Sequence, residues 1–358
     1  MPLFRYRLDE KAFQAAELVI LANMIMTNLL GWFLFVWVFF FGACLGSFLN
    51  VFAYRIPSKI TILGSSRCPF CLAPIPGQYN FPVLGWFALR GRCGTCRLPI
   101  SPRYFVVEIL AGSLLVFLFL SELVSNGDCL PTDKPFQMES LARALVAGQF
   151  GQLGYYDWTL PRIFLVHCFV GYSVLTAALM RLDRFRLPPL WKTISLLLVF
   201  LVLAIWPDDF GFARSTFQTP GRIPELLQRV DFQITGFLVG SFLGFQYSNL
   251  TKDWNSGAVF AFGLLGACFG ISATISLGTL FLALILVSFA VGLHRLALRL
   301  PLFVVLLAFV LQLLLWKPLS AIGFWPNTSA NSVTLLLFLL PGSLAVSVAS
   351  YLRITRPQ

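Results

Sequence analysis

The chain has 358 residues, 58% of them hydrophobic and only 11% charged, where a soluble globular domain carries roughly 25% charged residues. Too few charges remain to cover a water-exposed surface, so collagen, coiled coil, intrinsic disorder and a soluble enzyme are excluded. Lys and Arg number 26 against 15 Asp and Glu, for a formal charge of +11; in a chain this apolar the excess marks loops on the cytoplasmic side and does not call for nucleic acid.

The class that remains is an all-α polytopic membrane protein. At about 20 residues per span there is room for eight or nine helices and one small extramembrane domain. The first strong apolar run covers residues 32–52. Residues 13–30 ahead of it are apolar but less uniform, and read as an interfacial lead-in helix or as an extra span. No short apolar core is followed by a small-residue cleavage site. Further runs lie at 104–123, 160–180, 190–206, 232–250, 257–273, 278–293, 301–316 and 333–352, which makes about nine spans.

The loops between the runs carry an orientation. Arg55, Lys59, Arg67, Arg90, Arg92, Arg97 and Arg103 share the first loop with no acid, which places it in the cytoplasm. Asp128, Asp133, Glu139 and Asp157 outnumber Lys134 and Arg143 in the next, which suits the outside. Arg181, Arg184, Arg186 and Lys192 return the chain inward, Asp208 and Asp209 open an outer loop, and Arg353 and Arg356 set the C-terminus inside. Three regions follow: residues 1–53 with the lead-in and first span, a loop domain at 54–103, and a helical membrane domain at 104–358. Within the spans Gly42, Gly46, Gly240, Gly244, Gly263, Gly266 and Gly270 recur at three- or four-residue spacing, a small face for close helix approach.

The basic loop holds the clearest chemical pattern. Cys68-Pro69-Phe70-Cys71 and Cys93-Gly94-Thr95-Cys96 are two CxxC pairs. Four thiolates on two tight turns suit a tetrahedral structural Zn²⁺, and with all four positions taken by sulfur none is open for a catalytic water. Paired disulfides and free thiols are the other readings, the first disfavoured in reducing cytosol. Cys44, Cys168 and Cys268 sit in apolar runs as packing residues, and Cys129 stands alone in an outer loop. Glu108, just inside the second span, is costly there unless paired, and Arg103 is its nearest candidate. Asn50 and Arg55 sit where the first span meets the cytosol. His167 and His294 form no motif.

These residues carry a resemblance. Gly42-Ala43-Cys44-Leu45-Gly46-Ser47-Phe48-Leu49-Asn50 leads to Tyr54-Arg55-Ile56-Pro57, then to the CxxC pairs with Asn80-Phe81-Pro82-Val83-Leu84-Gly85-Trp86 between them, then to Leu98-Pro99-Ile100-Ser101-Pro102-Arg103-Tyr104. Residues 40–112 resemble the N-terminal half of the type IV prepilin leader peptidase/N-methyltransferase family. The resemblance implies a multi-pass protein of the bacterial inner membrane, an aspartic peptidase that removes leader peptides from prepilins or pseudopilins at the cytoplasmic face. It also implies N-methylation of the new terminus from S-adenosylmethionine, and a structural role for zinc. Membrane lipid and prepilin-like signal segments are the partners it brings.

The later part of the chain departs from that pattern. Where the family's motif begins with its first catalytic Asp, the ungapped match Arg181-Leu182-Asp183-Arg184-Phe185-Arg186-Leu187-Pro188 has Arg181. Counting back from Gly266-Ala267-Cys268-Phe269-Gly270, the second catalytic Asp falls on Ala258. Guanidinium does not act as a base, and an aspartic peptidase needs two carboxylates sharing a proton across a water. Asp183 and Asp253 are the acids left to form such a pair. The competing reading is a family member without proteolysis that binds pilin signals or scaffolds assembly; a methyltransferase confined to the N-terminal half is a third.

Overall fold

In a bilayer every backbone N–H and C=O must find its partner within the chain, and long apolar stretches achieve this as helices. The computed structural model describes residues 10–131, 158–206, 225–251, 253, 257–322 and 325, and its regular elements are helices apart from two isolated β-bridges in the basic loop. In chain order they are α1 (Glu10–Arg55), α2 (Leu84–Ala88), α3 (Arg103–Leu118), α4 (Thr159–Leu182), α5 (Pro189–Ile205), α6 (Glu225–Thr251), α7 (Ala258–Ala290), α8 (His294–Arg299) and α9 (Pro301–Ser320). A wider π-turn, Phe119–Val124, extends α3.

The protein is all-α and multi-pass, and among the described residues fewer than the expected nine spans are found. Five helical stretches among the described residues are long and apolar enough to cross: Leu29–Arg55, Arg103–Val124, Thr159–Leu182, Ala258–Ala290 and Pro301–Ser320. The shortfall has physical causes. The apolar helix α5 has only 17 residues, about 26 Å at 1.5 Å per residue. The expected span at 232–250 falls on α6, where Gln233, Thr235, Gln246, Ser248 and Asn249 interrupt the apolar run. The expected spans at 257–273 and 278–293 are joined as one helical element, α7. The expected span at 333–352, most of the acidic outer loops and the basic C-terminus lie outside the described residues. The lead-in at 13–30 is not a separate element, because α1 runs through it for 46 residues, about 70 Å.

α7 is folded back on itself. Gly270 has φ 70° and ψ −173°, a conformation open to glycine and closed to side-chain-bearing residues. The rings of Phe262 and Phe281 are 5.1 Å apart, whereas a straight helix would separate them by roughly 28 Å. The helix is thus two limbs, 258–269 and 271–290, and the break at Gly270 falls inside the first expected run, not between the two.

Small residues set the helix contacts. A Cβ on Gly42 or Gly46 of α1 would meet Leu115 or Ala111 of α3 at 2.8 and 2.6 Å. A Cβ on Gly236, Gly240 or Gly244 of α6 would meet the backbone of α7 at 2.0–2.5 Å, at Gly266, Phe262 and Val259. In a bilayer such close backbone approach is what holds helices together. The centre of the bundle is α4, 78% buried over its most apolar window against 22% for α1. Its Leu175, Leu179 and Met180 lie in the same core as Phe262 and Phe269 of α7 and Phe309 and Leu313 of α9. The end of this central helix carries Arg181 and Asp183.

Candidate functional site

The basic loop folds into two matching knuckles. Arg67 to Pro74 and Arg92 to Pro99 both read Arg-Cys-x-x-Cys-x-x-Pro, and each closes with a bridge between its Arg and its Pro. Cys68 N–H donates to Ala73 O and Cys93 N–H to Leu98 O, at 3.0 and 2.9 Å. Leu72 N–H and Arg97 N–H return to the carbonyls of Cys68 and Cys93, both at 3.0 Å. Leu72 and Arg97 hold φ of 57° and 61° to complete these turns. Gly91, at φ 65°, lies against Trp86; a Cβ there would come within 2.7 Å of the indole ring.

The knuckles bring all four sulfurs within 4.8 Å of one another. Cys68 Sγ lies 3.8 Å from Cys96 Sγ, and Cys71 Sγ 3.9 Å from Cys93 Sγ. A regular tetrahedron with Zn–S bonds of 2.3 Å has edges of about 3.8 Å, so the cluster has the size and donor set to hold a metal ion. Four thiols this close compete for charge. The Cys96 and Thr95 backbone N–H groups hold Cys93 down to about 6. Cys96 is favoured as thiolate by the Leu98 N–H, yet desolvation and the neighbouring sulfurs push it up to about 11. A divalent cation stabilises every thiolate at once.

The loop is anchored to the helices beside it. Trp86 and Phe87 pack on Phe105, with ring centroids 4.4 and 5.4 Å apart, and Phe81 meets Phe40 of α1 at 5.3 Å. Glu108, buried in α3, accepts a 2.7 Å hydrogen bond from Val83 N–H. That is the partner an acid at this depth requires; Arg103, its nearest candidate in the sequence, is engaged elsewhere.

Arg103 instead pairs with Asp183. Its Nη2 donates to Asp183 Oδ2 at 2.8 Å and its Nη1 to Oδ1, a two-pronged pair across 80 residues of sequence. The pair lines a pocket of about 400 Å³ with Asn50, Tyr54, Ser101, Tyr104 and Phe185. The pocket lies where α1 and α4 end and α3 begins. Asn50 Nδ2 reaches Tyr104 O at 3.4 Å. Two buried atoms there have no hydrogen-bond partner among the described residues, the acceptor Asn50 Oδ1 and the donor Arg103 Nε.

The second acid is held separately. Arg181 Nη2 lies 3.1 Å from Asp253 Oδ2, and Arg181 Nη1 donates to Phe185 O at 3.2 Å. Ala258 is fully buried where α7 starts against Gly244 of α6. Asp183 and Asp253 are therefore each bound to a different arginine.

One buried pair has no motif in the sequence. Glu122 Oε1 and His167 Nδ1 are 2.8 Å apart, and both side chains are wholly buried. Glu122 sits on the π-turn that ends α3, His167 on α4. An acid inside an apolar run is the signal that points to Glu122.

The N-terminal geometry has counterparts in known proteins. Residues 40–122 match the Bacterial Peptidase A24 N-terminal domain. The prepilin leader peptidase/N-methyltransferase of Myxococcus xanthus is 48% identical over 80 residues. Over this segment the chain is related to the prepilin leader peptidase/N-methyltransferases. The protein of that name from Aeromonas hydrophila is 36% identical over 112 residues, and that from Klebsiella pneumoniae 38% over 92. The matches take in 22–24% of this chain and 24%, 39% and 40% of those three relatives, so the chain spans less than half the length of the prepilin peptidases it matches. No solved structure matches. The segment shared with the prepilin peptidases includes the four cysteines, Asn50, Arg103 and Glu108, and stops short of Asp183 and Asp253.

Proposed function

We propose that the chain is a prepilin-peptidase-like protein of the bacterial inner membrane that receives the signal segment of a prepilin or pseudopilin without cutting it through an aspartic dyad. Its cysteine module and C-terminus lie on the cytoplasmic side, and the module is held by structural zinc. The pocket between α1, α3 and α4 carries this reading. It presents one buried acceptor, Asn50 Oδ1, and one buried donor, Arg103 Nε, the complementary pair that an extended peptide backbone satisfies. Against cutting, the place of the first family aspartate holds Arg181, engaged with Asp253, and the place of the second holds the buried Ala258.

A second reading retains the family's reaction, leader cleavage followed by methylation from S-adenosylmethionine, with Asp183 and Asp253 as the catalytic carboxylates. One observation favours it: Arg181, two residues from Asp183, reaches Asp253, so both acids converge on the end of α4.

One preparation separates the two. The protein in nanodiscs is mixed with a pilin precursor, and both binding and leader release are followed, beside Asn50→Leu, Asp183→Asn and Asp253→Asn. The expected result is binding without release, weakened by about five- to tenfold in Asn50→Leu, as fits one lost hydrogen bond. Leader release that disappears in either aspartate variant would replace the first reading with the second. Labelled S-adenosylmethionine in the same mixture reads methylation directly.

A further inference from the structure

We infer that residues 81–92 form a docking surface for anionic phospholipid, with Leu84 and Phe87 in the outer acyl layer of the leaflet, Phe81 deeper among the chains, and Arg90 and Arg92 on its phosphates. Depth is the first argument. The segment 81–87 lies beside the opening turns of the membrane-spanning α3: Phe87 and Trp86 pack on Phe105, Val83 N–H meets Glu108, and Phe81 reaches Phe40 inside the α1 span. Phe105 and Glu108 stand two and five residues beyond the start of α3, about 3 and 8 Å along its axis. That range overlaps the 5–10 Å to which an interfacial segment sinks at the headgroup and acyl boundary, while Phe81, on Phe40 fifteen residues before the end of α1, sits deeper among the acyl chains.

Exposure is the second argument. Phe81, Leu84 and Phe87 are 49%, 52% and 54% exposed although their neighbours bury Gly85 and Pro82. Three large apolar groups open to the surroundings at the depth of a membrane-spanning helix are solvated by lipid at no cost, while water at the same place would penalise each of them.

Charge selects the lipid. Arg90 and Arg92 directly follow α2 and are both exposed, and residues 18–107 contain no Asp or Glu. A basic segment at a membrane surface is drawn to anionic headgroups, and arginine pairs with phosphate through two parallel hydrogen bonds. A soluble protein partner would have to displace lipid to reach Phe81. The surface therefore belongs to the bilayer.

The test uses the full chain in nanodiscs of equimolar phosphatidylcholine and phosphatidylglycerol. A photoreactive benzophenone side chain replaces Phe87 in one sample and Leu63 in another. Leu63 is 84% exposed and follows Ile62, whose carbonyl is bound by Arg55 at the C-terminal end of α1. After irradiation, lipid adducts are counted by mass spectrometry. The expectation is at least about fivefold more adduct at 87 than at 63, with phosphatidylglycerol at least about twofold over phosphatidylcholine. In an Arg90→Gln, Arg92→Gln background the two lipids should fall to parity with the adduct yield kept. Equal yields at 87 and 63, cross-linking at 87 to protein in place of lipid, or lipid parity with both arginines present would each overturn the inference. Should the change at Phe87 prevent insertion, the same probe at Leu84 gives the same reading.

Discussion

Two regions meet at one end of the bundle, and they have fared differently. The knuckle module, with the helices α1 and α3 that flank it, has every side chain its chemistry calls for: four sulfurs at ligand spacing, an acid under its anchoring turn, and aromatic contacts to both helices. At the helix ends beyond it the acids are paired with arginines, Asp183 with Arg103 beside the pocket and Asp253 with Arg181, and Ala258 is buried where α6 closes on α7. A module whose sulfurs must reach one point tolerates little change, since a single lost ligand undoes it. A helix end whose charges pair internally can lose a reaction and remain well packed.

The largest effect should come from the module. In Cys68→Ser, Cys93→Ser the metal content should fall from about one ion per chain to near none. Limited proteolysis should then open the chain within residues 60–100 and leave the helices beyond α3 resistant. Under half an equivalent of metal in the intact, unchelated protein would break the contrast between the regions at its strong side.

Removing His167 should come next. Glu122 and His167 lie wholly inside the bundle, and truncating one leaves the other's polar atoms unsatisfied, at about 1–3 kcal/mol, on top of the cavity left by the imidazole. The His167→Ala variant should therefore unfold markedly earlier in a thermal scan, and Glu122→Gln, which keeps a hydrogen-bonding group, should lose less. Equal losses would show that packing, not charge, dominates there.

A smaller loss should follow Gly240→Ala. The new methyl would fall 2.0 Å from Phe262 O, a backbone atom that cannot swing aside, so α6 must move away from α7. Overpacking of this kind costs about 1–3 kcal/mol. Gly77→Ala in the module, where nothing lies within 4 Å, is the matched control and should be close to neutral.

What is legible in the sequence follows from range. The CxxC pairs are local patterns, and their spacing alone announces a ligand set. The glycines on α1, α6 and α7 announce close faces by helical period alone. The partners are not legible, because each joins distant segments: Arg103 with Asp183 across 80 residues, Glu122 with His167 across 45 and Arg181 with Asp253 across 72. The sharp fold at Gly270 hides for another reason. Apolar periodicity shows two runs parted at 274–277, but cannot show that the chain turns inside the first of them, at one glycine. Counting spans by runs therefore exceeds the number of membrane-crossing helices among the described residues.

The smallest effect should be the most informative about the weaker region. Arg181 and Asp253 form a pair with side chains 21% and 45% exposed, and pairs that open to solvent contribute about 1 kcal/mol or less. Arg181→Gln should therefore lower stability only slightly, while it removes the guanidinium that binds Asp253. If the missing carboxylates alone explain an absence of cutting, leader release should stay at zero in this variant, because freeing Asp253 restores neither family position. If Arg181 instead masks an otherwise competent pair of Asp183 and Asp253, release should appear and should vanish again when Asp183→Asn is added. The variant thus asks whether the C-terminal region has lost its chemistry or holds it closed with a salt bridge, and leader release answers while stability hardly moves.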